Sequence, residues 1–489
     1  MSKKTMYFKL ILISLGIKST IIHAQNGLQK CWEKQVKSQQ DSYLTFSYQE
    51  KINTLEHSFE PWEQTKAVSK GRISQNTSHF LQKDTFQYVG RNKHYYTTSE
   101  LNATQLLLLE HGDTTLFPVT KSMFLNKKIE TSRYSGACLI DYFHQQKIKP
   151  SKSTDKTWIV YETIINQAVV KLYIRKSDNL LDKTTILKHD DLFGDILTTV
   201  FYQDYAKLDG VFYAQHMVIE KINGKLLDDV IISNASLYKK ILSLLVAPTQ
   251  YQFAAEEVNK PDIKIEKYSN QIHFIELKHT DDRVLLVEFK DFLLVAEAPL
   301  SSENGDLILQ AAKKIAPHKP VQYFVFGHYH PHYLGGIRAF VHEEATIICS
   351  KQDEAYVQYL TNAPHTLQPD HLQLHPKPLK IQEIKDSLTI SDGSFEMKIY
   401  FIGKKSQHTN DYLVYYFPNE KLLFEDDLVW IPKVGDIPKS SGRQTGLYDA
   451  IQALHLDVKT IIQSWPVSEM GVKTVIPFAD LEKSIMVKR

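Results

Sequence analysis

The chain has 489 residues, is 43% hydrophobic and 23% charged, and carries a formal net charge of +2 with 26 Tyr and 23 Phe. That length calls for two domains rather than one core, and near-neutrality without a Lys/Arg block excludes a nucleic-acid partner. Past the first residues, no apolar run approaches the ~18–20 residues of a membrane span.

Residues 1–24 predict a secretory leader. Lys3 and Lys4 supply the basic start, Leu10 to Ile17 the apolar core, and Ile22-His23-Ala24 the cleavage site before Gln25. Its removal takes away four lysines and no acids, which moves the net charge from +2 to −2. The chain is therefore expected to be exported, periplasmic or secreted, with no membrane span in the mature form. Cys31, Cys138 and Cys349 show no C-x-x-C spacing, so zinc ribbons and redox motifs are excluded; an exported chain allows one disulfide and one free thiol. Cys349 lies in a predicted strand, 346–350, as a small buried hydrophobe.

From Tyr43 to Tyr251 the pattern is short strands, such as 158–162, 168–174 and 198–202, separated by turn signals including Asp209-Gly210 and Asn223-Gly224. This predicts an antiparallel, β-rich N-terminal domain, 25–255, curled like a half-barrel. The segment "DYAKLDGVFYAQHMVIEKINGKLLDDVIISN" resembles the open barrels of lipoprotein carriers, which implies an apolar ligand or partner for this domain. The pattern breaks at Pro248, Glu256-Glu257 and Pro261, placing a second domain at 260–489. There strands at 284–289, 292–296, 323–326, 346–350, 397–402, 412–417, 421–424 and 474–476 alternate with helices at 306–315, 353–360 and 448–454. Such alternation predicts sheets covered by helices.

The most informative stretch of that domain is Phe326-Gly327-His328-Tyr329-His330-Pro331-His332-Tyr333-Leu334-Gly335-Gly336. Three alternate histidines on a turn leaving a strand can aim several imidazoles at one point, as a Zn²⁺ site requires. The Gly pair would then let the backbone turn into the helix at Ile337–His342.

Residues 265–480 resemble the metallo-β-lactamase fold superfamily, which implies an αββα sandwich and an α+β chain overall. The family's H-x-H-x-D-H-x-G-G stands here as "HYHPHYLGG": His328 and His330 match the first two ligands, His332 replaces the Asp, and Tyr333 replaces the third His. "QHTNDYLVYYFPNEKLLFEDDLVW" resembles the segment carrying the next ligand His and the bridging Asp, at His408 and Asp427. For the family's late "PGHG", the best match is 475–480, with Ala479 at the His position; an earlier candidate, 462–466, also lacks a His.

The resemblance thus implies one metal, Zn²⁺, on His328, His330 and His408. Asp427 would be fourth ligand, water-orienting carboxylate or proton acceptor. His332 would be a ligand, a general acid or a support to the ligands. Three His with an open position suffice for hydrolysis, because Zn²⁺ lowers the pKa of a water to about 7. The substrate, an unknown small molecule or envelope component, would be selected by loops 365–380 and 432–445. The alternative is a non-catalytic envelope binder or scaffold on an eroded fold. Tyr333 and Phe478 are expected to wall the pocket; His365, His371 and His375 are expected to be solvated loop residues. Strand alternation would let only one of Asp426 and Asp427 face the histidines, and the family pattern favours Asp427.

Overall fold

Alternation of apolar side chains builds the first of two compact units. In strand Ala168–Arg175, Ala168, Val170, Leu172 and Ile174 are buried while their neighbours are half-buried, the period of a sheet with one packed face. The computed structural model describes residues 27–56, 58–110, 115–152, 155–240, 245–257 and 260–487, so the leader read from residues 1–24 lies outside the described residues. The unit holds one eleven-stranded sheet of antiparallel pairs. Leu106–Glu110 and Trp158–Ile165 form its edges, and Tyr43–Thr54 pairs with Leu226–Tyr238 in the middle.

Three helical segments, 27–35, Lys121–Glu130 and Ala137–Gln145, contradict the expectation of strands alone over this half. Their Trp32, Phe124, Leu139, Ile140 and Phe143 fill the packed face of the sheet. Lys121–Glu130 escapes a periodicity reading because its apolar residues are Met123, Phe124, Leu125 and Ile129, too few for a continuous stripe. All three cysteines are free thiols, so the permitted disulfide is absent, and Cys349 is buried in strand Thr346–Ser350.

The second unit takes in residues 58–63 and 189–195 as well as the chain from 260 onward, so two segments lying within 25–255 belong to it. A seven-stranded sheet, from Ile263–Lys267 to Lys380–Ile384 in sequence order, faces a six-stranded one, from Ser387–Ser391 to Val475–Pro477. Phe274, Leu285, Val287 and Val325 meet Met397, Ile399, Tyr415 and Phe424 between them. Helices Ser302–Ile315, Ile337–His342 and Glu354–Asn362 pack on the outside of the first sheet. Gly442–Ala453 and Phe478–Met486 pack on the outside of the second. The chain is α+β, and this half is an αββα sandwich. Among the described residues, no helix is long and apolar enough to cross a membrane.

Two helices start earlier than their apolar periodicity suggests, because polar caps set the start. Ser301 accepts from the Asn304 N–H, and Ser441 with Gln444 forms a capping box. The Gly335-Gly336 pair has ordinary helical φ angles, −57° and −85°, so it serves close packing rather than turning. A Cβ at Gly335 would lie 2.5 Å from the Leu300 carbonyl carbon, and one at Gly336 would lie 2.9 Å from Ala298 Cβ.

Candidate metal centre

Strand Val321–Val325 ends in the turn that carries the histidines, and long-range contacts hold that turn on every side. The Tyr329 N–H donates to Asp411 Oδ2 at 2.7 Å, the Leu413 N–H to the Gly327 carbonyl at 2.7 Å. The Gly327 N–H donates to the buried Glu297 carboxyl at 3.1 Å. The turn brings His328 Nε2 to 3.0 Å from His330 Nδ1, and His408 completes a triad in which one ring nitrogen from each residue lies within 4.8 Å of the others. Burial, then the neighbouring imidazoles His330 and His408, hold His328 well below the usual histidine pKa. Burial and His408 push His330 down to about 4. Both rings are thus neutral at pH 7, the state with a lone pair to offer.

Asp426 and Asp427 follow strand Leu422–Glu425 rather than belonging to it, so strand alternation does not sort them. The Tyr412 hydroxyl accepts both of their backbone N–H groups at 3.1 Å and pins the turn. Asp427 Oδ2 then lies 3.2 Å from His408 Nε2 and 3.2 Å from Arg443 Nη1. Burial alone would raise the Asp427 carboxyl, but His408, Arg443 and His330 outweigh it and hold it below the usual range. Asp426, which strand alternation would have facing away from the histidines, is fully buried, with Oδ2 at 2.6 Å from His328 Nδ1. It is also why residue 327 is Gly, since a Cβ there would lie 2.1 Å from Asp426 Oδ2.

Other expectations need correction. His332 is off the triad: its Nδ1 pairs with the buried Asp282 at 2.9 Å, and its ring lies 5.2 Å from that of Trp465. Burial lowers the His332 pKa, but Asp282 outweighs it and raises it. Tyr333 is buried with its ring 4.3 Å from His328, a packing neighbour rather than a pocket wall. Ala479 is exposed on helix Phe478–Met486, and Phe478 stacks on Tyr448. The earlier candidate segment, 462–466, is the one that borders the site, through Trp465. His371 is exposed as expected, whereas His365 is buried beside Gly194. Tyr412, Asp282 and Arg443 carry no motif of their own in the sequence.

Behind His328 the Glu297 carboxyl takes hydrogen bonds from Gly327 and from the Tyr415 hydroxyl, the latter at 2.7 Å. Burial pushes it up to about 8, and burial with the neighbouring Glu297 raises Asp426 as well. Because the folded-state pKa of Glu297 exceeds the unfolded one, its contribution is intact below about pH 4.5 and is lost as pH rises through about 8. Glu297→Gln keeps the acceptor and cannot ionise. Metal-free wild type is therefore expected to lose more thermal stability between about pH 5 and about pH 8 than Glu297→Gln; equal losses in melting experiments would contradict this.

The donor set fits a metal ion. His408 Nε2 is buried with no hydrogen-bond partner although a carboxylate oxygen stands 3.2 Å away. An imidazole nitrogen and a carboxylate oxygen side by side, with the other two imidazoles next to them, are the donor types a divalent cation takes. His328, with Nδ1 against Asp426, has the carboxylate–histidine arrangement that orients metal-binding imidazoles. The C-terminal half is thus an αββα sandwich with a histidine cluster where strand ends meet.

No family model and no curated protein matches the sequence. Solved structures similar to its C-terminal part are metallo-β-lactamase-fold proteins. A metallo-β-lactamase from Pontibacter korlensis is 17% identical, over 46% of this chain and 97% of its own, with a TM-score of 0.34. FIM-1 from Pseudomonas aeruginosa, in its mono-zinc form, is 15% identical over 47% of this chain and 96% of its own, with a TM-score of 0.34. A flavoprotein from Thermotoga maritima is 14% identical over 46% of this chain and 61% of its own, with a TM-score of 0.32.

Proposed function

We propose that this chain is an exported metallo-hydrolase holding one Zn²⁺ on His328, His330 and His408. Asp427 would be the fourth donor or the carboxylate that orients water. The bond cleaved is of ester, amide or phosphoester type, in an unknown small molecule or envelope component. The observation that carries this reading is the convergence of three imidazoles, two of them held neutral at pH 7, beside the Asp427 carboxylate. Neutral imidazole with carboxylate suits zinc. One ion rather than two follows from the replacements: Asp282 engages His332, Tyr333 is buried against His328, and neither Trp465 nor Ala479 has a side-chain lone pair to offer a metal. Zinc bound there supplies a Lewis acid and lowers the pKa of a water to about 7. Asp426 keeps the His328 ring oriented. Asp427 Oδ2 holds or accepts a proton, and Arg443 steadies its charge. His332, oriented by Asp282 and about one-third exposed at its side chain, is placed to protonate a leaving group. The basic-apolar leader pattern supports export.

A second reading is favoured by the Arg443–Asp427 ion pair, which neutralises the carboxylate a metal would otherwise use. On it, the chain is a metal-free envelope binder or scaffold. Metal analysis of purified protein, with a panel of hydrolase substrates, separates the two. The enzyme reading expects about one zinc per chain and no second tight site in excess zinc. Stoichiometry near zero would leave the scaffold standing.

A further inference from the structure

We infer that residues 58–63 are part of the metal centre, with Ser58 the positioning residue for His330. In sequence this segment lies between strands Tyr43–Thr54 and Thr65–Gln75 of the first sheet, far from every motif of the second domain. The inference rests on the reading that His330 binds the metal.

Ser58 is 3% exposed, and its carbonyl accepts from the Tyr329 hydroxyl at 2.9 Å. Its own hydroxyl lies 2.5 Å from the same phenol oxygen. The Ser58 backbone also lies against the His330 ring and acts on it as an acceptor does, raising its pKa against the burial that lowers it. His330 Nδ1 already faces His328 Nε2 at 3.0 Å, so the nitrogen left for the Ser58 carbonyl is Nε2. A carbonyl there fixes the proton on Nε2 and leaves the Nδ1 lone pair aimed at the centre, the service Asp426 performs for His328.

The segment also reaches the loop of the third histidine. The Asn410 N–H donates to the Phe59 carbonyl at 2.8 Å, and Asn410 Nδ2 donates to Glu60 Oε1 at 2.6 Å. Asn410 stands two residues after His408. Trp62 anchors the far end, with its ring 4.8 Å from Tyr359 and 5.2 Å from Tyr356. One short segment therefore ties the His328–His330 turn to the His408 loop and sets the tautomer of the ligand between them.

The test uses the full-length protein with residues 58–62 replaced by a Gly/Ser stretch of equal length. Zinc affinity is expected to fall about 10- to 100-fold, the usual effect of losing a partner behind a metal ligand. In the metal-free variant, ¹⁵N NMR of the histidine rings should show His330 passing from a single Nε2–H tautomer to a mixture, while His328 stays as in wild type. A merely structural strap would not move one ring and spare the other. Ser58→Ala, which keeps the carbonyl, should bind zinc nearly as wild type does; Trp62→Ala should bind it more weakly and decides the matter if the replacement fails to fold. Unchanged zinc affinity together with an unchanged His330 tautomer would overturn the inference. A wild type that binds no zinc would overturn the metallo-hydrolase reading instead, and the tautomer of metal-free protein would still decide the role of Ser58.

Discussion

His330→Ala is expected to take the zinc content from about one per chain to near zero and to abolish hydrolysis of any substrate the wild type cleaves. His330 Nδ1 lies 3.0 Å from His328 Nε2, and its ring is 5.0 Å from that of His408. Two remaining imidazoles and one ion-paired carboxylate make a poor tetrahedral site. The exposed histidine His371 provides the control: His371→Ala should keep the metal, because its ring contacts Asp306 at 3.5 Å and stacks on His342, neither of them in the triad. Metal analysis after gel filtration reads both variants. Full zinc occupancy in His330→Ala would show that the ion, if present, is held elsewhere.

The second large effect concerns the adjacent carboxylates. Strand alternation alone predicts that Asp427→Asn weakens zinc binding and abolishes hydrolysis while Asp426→Asn changes nothing. The structure revises the second half of that expectation. Asp426 Oδ2 lies 2.6 Å from His328 Nδ1, so Asp426→Asn should weaken zinc binding about 10- to 100-fold by releasing the ring. Hydrolysis at saturating zinc should then largely recover, whereas Asp427→Asn should stay inactive whatever the zinc concentration. Competition titrations against a chromophoric chelator distinguish the pair; zinc affinity unchanged in Asp426→Asn would remove its supporting role.

Much of this architecture is local and was legible. Alternating apolar residues mark strands such as Ala168–Arg175, and the break near Pro261 separates the two halves. His328, His330, His408 and Asp427 stand out because ligand-type side chains on turns beside strands are unusual. The helix Lys121–Glu130 was hidden by its sparse apolar stripe, and the early starts of the helices capped by Ser301 and Ser441 by reading periodicity ahead of caps.

Neighbours a few positions apart suffice to encode the alternation of strands and helices and to put ligand-type side chains on turns beside strands. Only the tertiary structure decided how those residues are oriented. His328 meets Asp426 across 98 residues, His332 meets Asp282 across 50, and Tyr329 meets Ser58 across 271. No local period encodes such partners; they are chosen by which strand ends and loops the packed sheets bring to one place.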